Sequence, residues 1–291
     1  MKPDTSRDIR VSSWGELQDA LFEGSWNERI RRYRAPFAYR GLSDANYRLN
    51  TTLTRLGGPY TELERHLLRN FRKYARGAPN QFSSFWHLIS IAQHHGLPTR
   101  LLDWTYSPFV AAHFATANHE QFDKDGVIWV VDYHRAHALL PGNLKAALDE
   151  EGAQAFTVEL LRSISRAFKD GDIHDESSFH DVIRTLDQFD LLGQDKEFLL
   201  FFEPPSLDDR IVNQFALFSV MPNPTRVIDD WLTEAGGENG PDQLVSRIVI
   251  PADLKWEIRD KLDQSNITER VLFPGLDGLS SWLRRHYHPK T

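Results

Sequence analysis

The segment from Gln93 to Ser107 carries the densest set of side chains in the sequence that could take part in chemistry. It offers a guanidinium at Arg100, a carboxylate at Asp103, an imidazole at His95 and an aromatic ring at Trp104. Taken singly, each residue is better explained by a buried hydrogen bond, an ion pair or core packing. Together, the cation, carboxylate and aromatic faces favour the binding of a charged ligand that contains a ring.

Other chemistries fit this part of the sequence less well. His94 and His95 are adjacent, so on a helix they project about 100° apart, and no second spaced pair accompanies them, so we expect no metal site. Ser107 is followed by Pro108 and lacks a preceding glycine elbow, which is typical of a helix N-cap rather than of a nucleophile. The glycine-rich loops that bind phosphates in dinucleotide-binding and P-loop proteins do not occur.

Short apolar runs predict the strands that must position these residues. Residues 36–41 are apolar and aromatic and end in glycine, which predicts a buried strand with Arg40 at its end. Residues 127–131 form a β-branched run that is too short for a typical helix. A further strand is predicted from Phe215 to Val220, so Gln214 stands directly before it.

Capping residues predict the helices on either side of the polar segment. Ser84 starts an apolar helix that stops where Gly96 and Pro98 allow no continuation. Ser107 starts the next one. The mixture of short strands and amphipathic helices predicts an α+β fold in which a small mixed or mostly antiparallel sheet is wrapped by helices. Residues 144–192 are helical in pattern and predict an inserted helical layer.

Composition limits the class of protein. The 291 residues include 41% hydrophobic and 26% charged residues, which is typical of a globular chain. The net charge of -7 argues against bulk attraction to nucleic acid or to an anionic membrane, so any nucleic-acid contact must be local. The absence of cysteine excludes disulfides and thiolate chemistry. With neither a secretory leader nor a membrane span in the pattern, we expect a cytoplasmic protein without membrane contact.

Several motifs in these same segments resemble the FRG domain family, which is named for an aromatic-x-Arg-Gly element. The resemblance covers residues 11–283 as one domain, with 144–192 as an insertion. It rests on the following motifs: Phe37-Ala38-Tyr39-Arg40-Gly41, residues 93–104, Ser107-Pro108, Ala112-His113-Phe114-Ala115, residues 126–131, residues 210–218, Ile250-Pro251 and residues 272–279.

The order of elements is in turn similar to the ADP-ribosyltransferase fold, and that similarity implies roles for individual residues. In that fold the strand arginine holds the phosphates of NAD, which is the substrate, and the following turn presents backbone groups to the nicotinamide. The residues implied to bind NAD are Tyr39, Arg40, Gly41, Arg100 and Thr105. The residues implied to be catalytic are Arg40, Asp103, Gln214 and His95.

The chemistry of these residue types is compatible with that implication. Arg40 offers a bidentate guanidinium for a pyrophosphate, and Gly41 would leave room for a ring beside the backbone. Cleavage of the glycosidic bond develops positive charge at the ribose, which a carboxylate or amide oxygen stabilises. Gln214 stands where transferases usually have glutamate, and an amide cannot act as a general base. Proton removal would therefore fall to Asp103, His95 or another carboxylate.

The resemblance thus leads us to expect an enzyme that transfers ADP-ribose from NAD to a macromolecular acceptor, either protein or RNA/DNA. The family's links imply a toxin or phage-defence effector, for which an antitoxin or regulatory protein would be a partner. Asp103-Trp104-Thr105 replaces the usual Ser-Thr-Ser turn, which leaves open a non-catalytic module that binds a nucleotide or a nucleic-acid end. A protein-interaction domain without a small ligand is the third alternative.

Overall fold

The computed structural model describes residues 8–75, 84–167, 179–206, 208–236 and 243–289. Within these residues the chain forms an eight-stranded sheet, a separate two-stranded sheet and fourteen α-helices. The strands are β1 (Asp8–Arg10), β2 (Trp26–Asn27), β3 (Arg32–Tyr33), β4 (Phe37–Leu42), β5 (Leu102–Thr105), β6 (Gly126–Asp132), β7 (Phe156–Thr157), β8 (Leu200–Glu203), β9 (Ala216–Val220) and β10 (Val245–Ile250).

The helices surround the large sheet along the whole chain. They are α1 (Trp14–Phe22), α2 (Thr52–Leu56), α3 (Tyr60–Tyr74), α4 (Phe85–His94), α5 (Pro108–Ala115), α6 (Tyr133–Ala138), α7 (Gly142–Glu151), α8 (Val158–Ala167), α9 (Phe179–Leu192), α10 (Asp209–Asn213), α11 (Ile228–Ala235), α12 (Lys255–Gln264), α13 (Glu269–Leu272) and α14 (Leu276–His286). In the described ranges, none of these helices has both the length and the apolar character that crossing a bilayer demands.

The large sheet has the strand order β1-β10-β6-β4-β5-β9-β8-β7. Only the two outer pairs, β1 with β10 and β7 with β8, are parallel, and the pairs between them are antiparallel. The predicted α+β class with a mostly antiparallel sheet is therefore confirmed. The prediction that the sheet is small is wrong, because β1, β5 and β7 are too short to give a periodic hydrophobic signal. They become strands only through pairing with longer neighbours.

The sheet is weakly joined at its middle, between β4 and β5. Strand β4 pairs with β6 at six positions, whereas it pairs with β5 only where Tyr39 lies opposite Thr105. On its other side β5 pairs with β9 at four positions. The two halves of the sheet therefore separate beyond Tyr39, and the backbone groups of β5 on that side are left without ladder partners.

The predicted helical layer at 144–192 contributes to a continuous hydrophobic core. The segment contains most of α7, the short strand β7 and the helices α8 and α9, while residues 168–178 lie outside the described residues. Leu161 and Phe189 from these helices share one buried cluster with Trp86 of α4 and Phe202 of β8. The Trp86 ring meets Phe189 and Phe202 at 5.3 and 5.6 Å in edge-to-face contacts, which tie this layer to the sheet.

Two buried histidines should make the stability of the fold depend on pH. Burial lowers the pKa of His113 to about 3 and that of His137 to about 4. The unfolded chain binds a proton at each site below about pH 6.5, and the folded chain does not, so stability falls as the pH falls. We expect urea unfolding to show a loss of about 2 to 3 kcal/mol between pH 7 and pH 5.5.

A variant at one of these sites checks the cause of that loss. His113→Gln cannot be protonated, so it should retain roughly half of the pH dependence of the wild type. His113 accepts a hydrogen bond from Arg259 Nη1 at 2.7 Å, which a glutamine oxygen can also accept. An unfolding free energy that stays constant from pH 7 to pH 5.5 in the wild type would contradict the assignment.

Candidate functional site

A cleft of about 240 Å³ lies over the strands at which the sheet separates. Strands β4, β5 and β9 supply its floor, and the last turn of α4, helix α10 and Phe114 of α5 supply its walls. We call it the Arg40 cleft. Its lining residues are Tyr39, Arg40, Gly41, Gln93, His94, Asp103, Trp104, Thr105, Phe114, Arg210, Ile211, Gln214, Ala216 and Phe218.

Arg40 reaches from β4 to the unpaired backbone of β5. Its Nη1 donates to the carbonyl oxygen of Asp103 at 2.5 Å and lies 3.8 Å from the Asp103 carboxylate. Burial lowers the pKa of Arg40, and the Asp103 carboxylate only partly opposes this. Among the described residues, the buried Nε of Arg40 has no hydrogen-bond partner. The positive charge is only partly compensated, and part of the side chain is open to the cleft, so this guanidinium is suited to receive an anion.

The Asp103 carboxylate is held in place but remains accessible. Gln93 Nε2 donates to one of its oxygens at 2.9 Å. The Gln93 amide is oriented in turn by Thr99, whose hydroxyl donates to Gln93 Oε1 at 2.5 Å. The Asp103 side chain is 56% exposed, so its carboxylate can meet a ligand in the Arg40 cleft. The Gln93–Thr99 pair therefore acts as a positioning pair for a reachable carboxylate.

Gln214 lies in the same cleft as Arg40, as the sequence predicts, but on a different element. It ends helix α10, and the strand begins at Ala216 rather than at Phe215. Phe215 makes the change of direction with a φ of 50°, a left-handed conformation that is uncommon for an aromatic residue. The Gln214 side chain donates from Nε2 to the carbonyl of Leu272 at 2.9 Å, so its amide is anchored to α13.

Among the cleft residues that were not predicted as site residues are His94, Phe114 and Arg210. His94 Nε2 contacts the Asp208 carboxylate at 2.7 Å and so joins α4 to the start of α10. Arg210 precedes Gln214 by four positions, which places both on one side of a helical turn. That spacing is a signal in the sequence, but it is informative only when the segment is known to be helical.

The structure places Arg100, which was predicted to bind the ligand, in the core and not among the residues that line the Arg40 cleft. Its side chain is only 1% exposed and makes two hydrogen bonds from Nε and one from Nη2 to the Glu64 carboxylate, at 2.6 to 3.0 Å. Nη1 donates to Asp190 at 2.5 Å and to the carbonyl of Pro222 at 2.8 Å. Arg100 therefore has its donors occupied inside the core, where it joins α3 to α9. It does not pair with Asp103.

His95 is also placed outside the Arg40 cleft. It follows α4 as an exposed residue, with its ring 5.2 Å from that of His94. The helix turns His94 toward the cleft and His95 away from it, because adjacent helical side chains diverge by about 100°. His95 is thus poorly placed to serve as the proton acceptor that the sequence analysis considered. Of the two candidates named there, Asp103 is the one that lines the cleft.

The remaining predicted ligand residues border the cleft but have structural partners. The Tyr39 hydroxyl donates to the Leu21 carbonyl at 3.1 Å, and burial raises its pKa to about 12. The Thr105 hydroxyl donates to the Gln214 carbonyl at 2.7 Å and accepts from the backbone of Ser107. These contacts fix the strand ends, so neither hydroxyl is a free ligand donor.

Gly41 is needed for helix packing rather than for space beside a ring. A Cβ at this position would lie 1.8 Å from the carbonyl oxygen of Ala111 and 2.6 Å from the nitrogen of Ala115. The space that the missing side chain leaves is therefore filled by the backbone of α5. This close approach brings Phe114 of α5 to the edge of the Arg40 cleft.

The comparison with protein families agrees with part of the resemblance. Residues 35–124 match the FRG domain model, which supports the FRG family for this segment. The matched residues include β4 and β5 and hence Arg40 and Asp103, but not Arg210 or Gln214. No curated protein and no solved structure matches the chain.

Proposed function

We propose that the Arg40 cleft binds NAD and that the protein transfers ADP-ribose from it to a macromolecular acceptor. The observation that carries the proposal is Arg40 itself, a mostly buried guanidinium in a cleft, with one donor lacking a partner among the described residues. A diphosphate that meets the exposed part of the Arg40 side chain, which is 17% exposed, would offset the cost of burying its charge. The partly exposed ring of Phe114 lines the same cleft and suits a planar base.

The reaction requires a group that stabilises the ribose as its bond to nicotinamide breaks. The electron pair of that bond leaves with nicotinamide, and a nucleophilic atom of the acceptor forms the new bond to the same ribose carbon. The proton of the acceptor passes to a base, for which the accessible carboxylate of Asp103 is suited. The same carboxylate, held by Gln93, can stabilise the developing positive charge.

The residues of the site are compatible with protein, RNA or DNA as the acceptor of ADP-ribose. The association of the FRG family with toxins and phage defence favours an effector role, in which an antitoxin or regulatory protein would be a partner.

Incubation of the purified protein with NAD labelled in the adenylate moiety, together with a cell lysate, tests the proposal. We expect label on one class of macromolecule, with release of one nicotinamide for each ADP-ribose transferred. Treatment of the products with protease, RNase or DNase identifies the acceptor. Nicotinamide release without macromolecular label would mean that the protein hydrolyses NAD and does not transfer ADP-ribose. No nicotinamide release under any condition would overturn the enzyme proposal.

A specific observation also favours the non-catalytic alternative, a module that binds a nucleotide. Among the residues that line the described cleft, Asp103 is the only carboxylate, and one of its oxygens is already bonded to Gln93. The resemblance implies that Gln214 stands in the place of the usual glutamate, and its amide is anchored to the Leu272 carbonyl. A cleft with one available carboxylate can bind a nucleotide without activating an acceptor.

Substitution at Gln214 distinguishes the two functions. Gln214→Glu loses the hydrogen bond to Leu272, which frees a carboxylate beside the cleft and costs about 1 to 3 kcal/mol of stability. We expect this variant to change the rate of NAD turnover at least tenfold if the residue contacts the ribose, as measured by nicotinamide release.

The neighbouring Asn213 supplies a matched control. Its Nδ2 donates to the carbonyl of Val271 at 2.8 Å, so Asn213→Asp loses an equivalent bond to the same helix, but Asn213 does not line the cleft. Asn213→Asp should therefore lower stability without changing turnover. Equal effects of the two variants on turnover would mean that Gln214 acts only through the packing of α13.

A further inference from the structure

Arg210 is a second cation in the Arg40 cleft and comes from the opposite side of the sheet's opening. It lies on α10, whereas Arg40 lies on β4, and both line the same cavity of about 240 Å³. The buried arginines in the described chain are paired with carboxylates, as Arg100, Arg259 and Arg285 are. Arg210 has no ion-pair partner within the described residues, so its charge is available to a ligand.

An aromatic ring holds Arg210 in place without consuming its donors. The guanidinium carbon lies 5.0 Å from the centre of the Phe273 ring, which is the geometry of a cation-π contact. A cation-π contact of this kind uses no hydrogen-bond donor, so the N–H groups of the guanidinium can still bind a ligand. Phe273 also meets the Phe114 ring edge-on at 6.1 Å. The position of Arg210 is therefore set by aromatic packing that is continuous with the wall of the cleft.

The charge inside the cleft is unbalanced as a result. Arg40 and Arg210 contribute two positive charges, and Asp103 contributes one negative charge. The imidazole of His94 is already engaged with Asp208. Arg40 comes from the floor of the cleft and Arg210 from its wall, and a diphosphate carries anionic oxygens on two phosphorus atoms, so each phosphate can meet one guanidinium group.

We infer that Arg210 is a specificity-determining residue that binds the second phosphate of a diphosphate ligand, so that the cleft prefers nucleoside diphosphates and dinucleotides to monophosphates. The inference rests on the proposed function, because it names a further contact for NAD in the same site. It concerns binding alone and therefore has a test that does not require turnover.

The test compares the binding of ADP, AMP and NAD to the wild type and to variants by isothermal titration calorimetry. We expect the wild type to bind ADP about ten times more tightly than AMP. Arg210→Ala should weaken ADP and NAD binding about ten- to one-hundredfold and bring the ratio of ADP to AMP affinity close to one. Arg210→Lys keeps the charge but loses the planar fork, so it should recover only part of the ADP affinity.

Arg270 provides a control for loss of a stacked arginine. Its guanidinium carbon lies 4.8 Å from the centre of the Trp282 ring, and Arg270 is not among the residues that line the cleft. Arg270→Ala should leave all three affinities unchanged. If NAD binds but Arg210→Ala keeps the wild-type preference for ADP, this inference fails while the proposed function stands. If the wild type binds neither NAD nor ADP, both fail.

Discussion

Replacement of Arg40 by alanine should lower the catalytic efficiency with NAD by at least about one hundredfold while the protein remains folded. The guanidinium is the central cation of the cleft, and a charge-assisted bond to a phosphate contributes about 1.5 to 3 kcal/mol before effects on orientation are added. Arg40→Lys should retain part of the wild-type activity, because its ammonium group keeps the positive charge but cannot make the bidentate contact. Nicotinamide release measures both variants.

The effect of Arg40→Ala on stability should be modest. The variant removes the hydrogen bond to the Asp103 carbonyl, but Asp103 is exposed at the cleft and water can replace the donor. It also removes the cost of a buried guanidinium with an unpartnered Nε. We expect the melting temperature to shift by only a few degrees. Arg135→Ala, which removes an ion pair with Asp132 outside the cleft, is the control for turnover.

Two results would contradict this interpretation of Arg40. Wild-type NAD affinity and turnover in Arg40→Ala would show that the guanidinium has only a structural role. Loss of the folded state in Arg40→Ala, together with failure of folded Arg40→Lys to differ from the wild type in NAD binding, would lead to the same conclusion. In either case the bond to the Asp103 carbonyl would be the reason for an arginine at the opening of the sheet.

Replacement of Gly41 by alanine should strongly lower the stability of the fold. The added Cβ would lie 1.8 Å from the backbone oxygen of Ala111, a separation that only a shift of α5 or β4 can relieve. Because backbone rather than a flexible side chain must move, we expect a loss of more than about 3 kcal/mol. Urea unfolding of the purified variant, or its failure to accumulate as soluble protein, measures this effect.

Gly142→Ala is a matched substitution without the collision. Gly142 begins α7, and no atom lies within 4 Å of the position that its Cβ would take. Alanine is the better helix former, so this variant should be neutral or more stable by up to about 1 kcal/mol. A Gly41→Ala variant as stable as Gly142→Ala would mean that α5 does not pack on β4 as closely as described. That result would support the alternative in which Gly41 leaves space for a ring of the ligand beside the backbone.

The proposed site depends on the same close contact between α5 and β4. Gly41 allows the helix to approach, and the helix, which begins at the Ser107 cap about two turns before Phe114, carries Phe114 into the cleft. The Phe114 ring meets Phe273, on which Arg210 stacks. The packing of α5 on β4 thus contributes to the position of Arg210 in the Arg40 cleft, through Phe114 and Phe273.

Local sequence was sufficient for the elements whose signals lie within a few residues. The serine caps predicted at Ser84 and Ser107 are confirmed, since each side chain accepts a hydrogen bond from the backbone three residues later. The strand predicted at 127–131 is confirmed within Gly126–Asp132, and the strand predicted at 36–41 is found at Phe37–Leu42, which continues two residues past Arg40. A cap or an apolar run reports on its immediate neighbours, so it can be recognised without knowledge of the rest of the chain.

The choice of partners was decided only by the tertiary structure. Arg100 is three positions from Asp103, yet it binds Glu64 and Asp190, which are 36 and 90 positions away. The weak join between β4 and β5, which creates the cleft, likewise depends on β5 pairing with β9. Short spacing predicts a contact only where the backbone keeps both side chains on one face. Long-range ion pairs and strand pairing depend on the packing of the whole chain, and the sequence near Arg100 contains no signal for them.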